Sequence, residues 1–235
     1  MKKYQSMVLP LLAWVLLLTV TACDKDDEEV MGKIAPSASG TFVDERDGHE
    51  YRWVRYGSLD WMADNFSYDL KNEQRCLVYL NAEDYEYNRA STKNLAKYGR
   101  LYDLPGALEA CPEGWRVPTD ADWQNLECCL GMSPDEAAKM DWRGNIAHRM
   151  FSLEDDPCDL NLRLGGYWTT NINMSRSPYR MMGLFGYYWS SSLDEQKEGM
   201  YYLYRKFAYN RNEVCRQSIE SEKVKLYVRY VRDAH

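Results

Sequence analysis

The chain has 235 residues, 45% of them hydrophobic, and a formal net charge of −7 from 29 basic and 36 acidic side chains. That balance argues against nucleic acid or an anionic membrane surface as a partner, and three histidines leave little for a His-rich metal centre. The length suits one domain of generous size with a proper core.

The N-terminus sets the context. Met1-Lys2-Lys3 is a short basic start, and residues 7–20 are an almost unbroken apolar run that closes on Val20-Thr21-Ala22-Cys23. The run suits a secretory leader better than a membrane span, which needs about 20 residues. Residues 1–22 therefore read as a lipoprotein signal peptide whose removal would leave Cys23 as the lipidated N-terminus, the only attachment to a membrane. Asp24-Lys25-Asp26-Asp27-Glu28-Glu29 carries no apolar residue, so it reads as solvated, and residues 23–40 form an acidic tether. The acidic run resembles the surface-export signal of Bacteroidetes lipoproteins, which implies an outer-membrane, surface-exposed location.

Without residues 1–22 the chain carries 27 basic and 36 acidic residues, a net charge of −9, and six cysteines: Cys76, Cys111, Cys128, Cys129, Cys158 and Cys215. Export permits disulfides, and six cysteines allow 15 full pairings. Their spacing is unlike a zinc site. Cys128 and Cys129, neighbours on a helix, point about 100° apart and should not bond to each other; Cys129 lies nearer the apolar stripe.

From residue 41 the pattern turns to strands. Thr41-Phe42-Val43-Asp44 reads as a short strand, Asp47-Gly48 as a hairpin turn, and residues 49–56 as its second strand. Residues 59–66 follow, and 67–97 read as a long polar loop. Residues 105–110 form a short helix. Thr119-Asp120-Ala121-Asp122 caps a clearer one, with Trp123, Leu126 and Leu130 at helical spacing. Ser133-Pro134-Asp135-Glu136 opens a third, running to about Met140. Strands return at 160–164, 166–171, 185–191, 200–208, 213–217 and 223–232, the last alternating as a half-buried antiparallel strand would. The order indicates an α+β fold of antiparallel strands with two or three short helices.

Several blocks in this order resemble one family. They are Thr41-Phe42-Val43-Asp44-Glu45-Arg46-Asp47-Gly48, Trp61-Met62-Ala63-Asp64-Asn65, Tyr98-Gly99-Arg100-Leu101-Tyr102 and Cys111-Pro112-Glu113-Gly114-Trp115-Arg116-Val117-Pro118-Thr119, then Tyr188-Trp189-Ser190-Ser191 and Val228-Arg229-Tyr230-Val231. Together they resemble the Fibrobacter succinogenes major paralogous domain over residues 41–235. The resemblance implies a single C-type-lectin-like domain, and it carries no settled activity. The family pattern implies a cysteine near Leu95 and another at Tyr230; both are replaced here, which leaves Cys76 and Cys111 without those partners.

Nineteen Tyr and eight Trp against five Phe suit small cores finished by hydrogen bonds, and also ligand surfaces. Trp61, Trp115, Trp123 and Trp189 read as core. Catalytic chemistry is poorly supported: Ser190-Ser191-Ser192 lacks the nucleophile-elbow glycines, and Cys128-Cys129 is a poor redox pair. Neither the E-P-N or Q-P-D tripeptide nor the W-N-D tripeptide of calcium-dependent lectins occurs, and Glu154-Asp155-Asp156 with Asp159 reads as a solvated turn rather than a calcium site. No metal or cofactor is expected. Residues 140–185 combine Trp142, Tyr167, Trp168, Tyr179 and Arg180 with turn residues such as Asn171, Asn173, Ser175 and Ser177, and loops on a scaffold are where binding residues concentrate. The expectation is a non-catalytic recognition domain for glycan or protein at the cell surface. The alternative is a structural subunit of a surface adhesin or fimbrial assembly, and an enzyme of formylglycine-generating type ranks third.

Overall fold

The computed structural model of the chain describes residues 34–86, 91–151, 158–171 and 177–235. The leader, Cys23, most of the acidic tether, Glu154, Asp155, Asp156, Asn173 and Ser175 lie outside the described residues. Everything described belongs to one unit, Lys33–His235.

Four antiparallel sheets make up the unit. In the first, β1 (Ser39–Asp44), β2 (His49–Tyr56), β3 (Leu59–Met62) and β13 (Val231–Asp233) lie in the order β1-β2-β3-β13. The second is β4 (Cys76–Val78) with β5 (Arg100–Tyr102). A larger one contains β6 (Asp141–Arg143), β9 (Phe185–Leu193), β10 (Tyr201–Ala208) and β11 (Val214–Glu220), ordered β6-β11-β10-β9. Last, β7 (Tyr167–Thr169) lies between β12 (Val224–Lys225) and β8 (Tyr179–Arg180). Five short helices accompany them: α1 (Ala82–Glu86), α2 (Thr92–Tyr98), α3 (Leu104–Ala110), α4 (Asp120–Cys129) and α5 (Pro134–Ala137). The α+β class holds.

Local chemistry explains the elements that follow the sequence reading. Gly48 takes φ 72° between β1 and β2, and the Asp47 carboxylate accepts the His49 amide, closing the hairpin. Thr119 and Asp122 form a reciprocal capping box on α4, and Ser133 caps α5. That helix stops at Ala137, short of Met140, because Asp141–Arg143 is drawn into the sheet beside β11.

Four expectations are corrected. Residues 67–97 hold β4, α1 and α2 rather than a loop, so the α-helices number five among the described residues; α1 and α2 have 5 and 7 residues, too short to show a helical period, and Ser91 caps the second. Residues 160–164 form no strand; Leu160 and Leu162 are buried, and Asn161 takes φ 51°. Cys129 is exposed and it is Cys128 that packs on the core. Residues 223–232 are not a half-buried strand. All of 224–231 are buried, because this segment bonds successively to different partners: Lys225 pairs with Trp168, Leu226 with Tyr102, Tyr227 with Tyr188, and Val231 with both Trp61 and Arg116. It is the spine that joins the sheets.

Residues 34–40, read as the end of the tether, are bound to the fold. Ile34 packs on the core, the Ser37 amide donates to Arg55 O at 3.0 Å, and β1 begins at Ser39.

The aromatic excess goes largely into the core. Trp61, Trp123 and Trp189 are at most 1% exposed and Trp115 is 7% exposed. Their polar tips find backbone partners: Trp123 Nε1 donates to Trp189 O (3.1 Å), Trp189 Nε1 to Tyr102 O (2.7 Å), and Tyr102 OH to Tyr68 O (2.6 Å). A buried ion network then fastens α4 to the large sheet. Arg205 donates to Asp120 (2.7 Å) and Glu127 (2.6 Å), while Arg143 holds Glu127 and Arg216 holds Asp120. The thiols of Cys76, Cys111, Cys128, Cys129 and Cys215 are free, and Cys158 Sγ lies 3.4 Å from Ile34 O.

Candidate functional site

Three of the recognisable sequence blocks meet at one place. Asn65 Nδ2 donates to Tyr98 O (2.8 Å), and the Arg100 amide donates to Phe66 O (3.0 Å), so the Asp64-Asn65 and Tyr98-Gly99-Arg100 stretches lie edge to edge. Gly99 makes this approach possible. It takes φ 71°, and a Cβ there would stand 2.6 Å from Phe66 O. Arg46 and Asp47, from the β1–β2 turn, complete one side, and Asn161 and Arg163 the other. The result is a cleft of about 760 Å³, within the range of small-ligand sites.

Most polar groups in the cleft are held in place. Arg46 grips Asp44 through Nε (2.8 Å) and Nη2 (2.7 Å), and its guanidinium lies 4.0 Å from the centre of the Tyr68 ring. Arg52 makes the same fork on Asp64 (3.2 and 2.8 Å), whose Oδ1 also accepts from Asn161 (3.4 Å). Arg100 Nη2 (2.8 Å) and Lys71 Nζ (3.1 Å) share Asp69. The Arg163 backbone is pinned, its amide donating to Tyr188 OH (2.6 Å) while its carbonyl accepts from that hydroxyl (2.9 Å). Its side chain is left to the cleft.

These pairings fix the charge states. Burial opposes the charge on Asp64, yet the Arg52 hydrogen bonds and the nearby Arg229 outweigh it and hold the carboxyl below its usual range. Asp69 is lowered likewise, burial being overcome by Lys71 and Arg100, and Asp44 is lowered chiefly by the Arg46 hydrogen bond. At neutral pH these carboxylates are acceptors, not acids. Thiolate chemistry is not favoured either: burial pushes Cys111 up to about 12 and raises Cys76.

Four of the five residues expected at a ligand surface share the β7–β8 pair, Tyr167 opposite Arg180 and Trp168 opposite Tyr179, while Trp142 lies on another sheet; all five are on strands rather than on loops. Trp142 is on β6, under the cations of Lys206 and Arg211, both 4.9 Å from its ring. Tyr167, on β7, packs against Tyr187 (4.7 Å). Trp142 and Tyr187 end a row across one sheet face, Trp142-Cys215-Lys206-Tyr187, set by strand register, and Tyr167 packs on its Tyr187 end from the neighbouring sheet. Trp168 points to the opposite side of β7 from Tyr167, faces Tyr179 across the β7–β8 pair, and has Lys225 Nζ at 4.1 Å. Tyr179 packs against Tyr79 (5.1 Å) and on the core, and burial pushes its phenol up to about 12. Arg180 pairs with Tyr167 in register. All five are half-buried, and none lines the cleft.

Arg46, Lys97, Arg100 and Arg163 were not among the expected site residues. The available signal was the concentration of Asp, Asn and Arg inside otherwise architectural blocks. No curated protein and no solved structure matches the chain. The Fibrobacter succinogenes major domain matches it over residues 54–232, a stretch that includes the cleft lining from Asp64 to Arg163 but not Arg46, Asp47 and His49. The chain belongs to the Fibrobacter succinogenes major domain family.

Proposed function

We propose that the protein is an outer-membrane lipoprotein, anchored through Cys23 and exposed at the cell surface, whose folded unit is a non-catalytic recognition domain for a glycan. The observation that carries this reading is the cleft: fixed guanidinium and ammonium donors alternate with ionised carboxylate acceptors, beside the Tyr68 ring. Such a lining suits a polyhydroxylated ligand, which donates and accepts along its length. A C-type-lectin-like fold belongs to the same reading, supported by the C-terminal strand β13 returning beside β3 to close the first sheet. A glycan array probed with the full chain tests it. Selective binding that is lost when Arg100 is replaced by Ala supports recognition at the cleft, and an array with no selective ligand counts against it.

One observation favours the second reading, a subunit of a surface assembly. Met181, Leu184 and Tyr209 are 43, 44 and 60% exposed and adjacent: Leu184 O accepts the Tyr209 amide (3.0 Å), and the Leu184 amide donates to Met181 O (3.0 Å). An apolar patch of this kind suits a protein contact. Sedimentation showing concentration-dependent association, abolished by Leu184→Asp, would support it.

A further inference from the structure

The cleft opposes the charge of the protein that carries it. The chain is −7 overall, whereas the cleft is lined by five cations and three carboxylates. Counting the outside partners Asp44 and Arg52 leaves six against four, the same excess of two. Four of these cations already share Asp44, Asp64 and Asp69. Two have no acid. Lys97 is exposed, and among the described residues it meets the Tyr98 ring, 5.2 Å from its ammonium. The Arg163 guanidinium is half-buried and has no acceptor among the described residues.

Behind the wall stands a further cation, Arg229, 1% exposed, with neutral acceptors: Asn65 Oδ1 and the carbonyls of Met62, Leu160 and Asn161. Its field adds to that of the cleft. A concave, partly desolvated site concentrates such a potential.

We propose that the cleft takes an anionic sugar, a uronate-bearing oligosaccharide, with its carboxylate received by Arg163 and Lys97. This rests on the glycan-recognition reading and specifies it. A carboxylate fits the fork of a guanidinium that lacks an acceptor among the described residues, and it neutralises the excess positive charge. The sugar hydroxyls meet the remaining lining, since ionised Asp64 and Asp69 accept only and so call for hydroxyl donors. A purely acidic peptide would place its side-chain carboxylates against the same aspartates, which disfavours it. The cleft volume of about 760 Å³ accommodates two or three sugar rings.

The test is titration calorimetry of the full chain in detergent with three probes: trigalacturonate, neutral galactotriose and a triglutamate peptide. The expected result is trigalacturonate binding about tenfold or more tighter than galactotriose, weakened by salt and reduced by about tenfold in Arg163→Ala. Lys97→Ala, at an exposed side chain, keeps the test valid should the first variant fail to fold, and it should weaken binding in the same direction. Arg163→Lys should retain part of the affinity. Equal affinity for galactotriose would overturn the charge selectivity while leaving glycan recognition standing. Triglutamate binding as tightly as trigalacturonate would overturn the sugar assignment. Failure of both sugars to bind would overturn the proposal, and an array hit with another glycan would show that recognition itself survives.

Discussion

Arg229 Nε donates to Asn65 Oδ1 at 2.7 Å, so a residue of the C-terminal spine orients a side chain in the cleft wall. Asn65 in turn uses Nδ2 to hold Tyr98 O at 2.8 Å, beside Gly99 and Arg100. The cleft is therefore shaped from behind by a fully buried cation. Burial chiefly lowers the Arg229 pKa, with the nearby Arg163 charge acting in the same direction, and Tyr188 and Asp64 act against that loss.

Replacing Arg229 with Met should destabilise the fold by about 3 kcal/mol or more, because the carbonyls of Met62, Leu160 and Asn161 lose their donor in a buried setting. Arg229→Lys should rescue little, since one ammonium cannot reproduce the planar spread of donors. Urea unfolding of both variants checks this. A near-wild-type midpoint for the Met variant would show that the guanidinium is dispensable.

Stability should fall in acid through Asp120. Burial opposes its charge, but Arg216 and Arg205 overcome this and hold its pKa far below the ordinary carboxylate value. A depressed folded-state pKa means that the unfolded chain binds the proton first. The contribution is present in full above about pH 4 and is lost as pH falls toward the folded-state value. Asp120→Asn should cost about 3–5 kcal/mol at neutral pH, leaving Arg205 short of a counter-charge, and should flatten the acid limb of the stability curve. Thermal melts from pH 7 to pH 2 read both effects.

Trp168 and Tyr179 face each other across β7–β8 and pack on the core. Replacing both with Ala should lower stability by roughly 2–4 kcal/mol, as for partly buried large-to-small changes. Glycan affinity at the cleft should stay unchanged in whatever fraction remains folded. Loss of affinity with the melting temperature preserved would move the site to this sheet.

Cys23→Ala should release the protein from membranes or leave it unprocessed, since the proposed anchor is a lipid on that sulfur. Membrane fractionation checks this. Unchanged retention and processing would refute the lipoprotein assignment.

Elements whose signals are local were legible in the sequence. Thr119, Ser133 and Asp47-Gly48 act on backbone within three residues, so cap and turn chemistry reveals them directly. The buried Trp residues also followed from their spacing and surroundings. The spine at 224–231 was misread because alternation reports one buried face, whereas Lys225 and Arg229 are buried too, satisfied by distant groups such as Asn65. The cleft was illegible for a related reason. Its lining runs from Arg46 to Arg163, and each contributing block looks architectural by itself. Aromatic content drew attention to 140–185 instead, where short strands bury much of each ring.

The most direct test of the cleft as the recognition site is amide chemical-shift mapping of the folded chain with the tightest glycan from the array. Perturbations are expected to cluster at Asn65, Tyr68, Gly99, Arg100, Asn161 and Arg163 and to saturate together. Perturbations centred on Trp142, Tyr167 and Tyr187, with the cleft amides unmoved, would contradict the account.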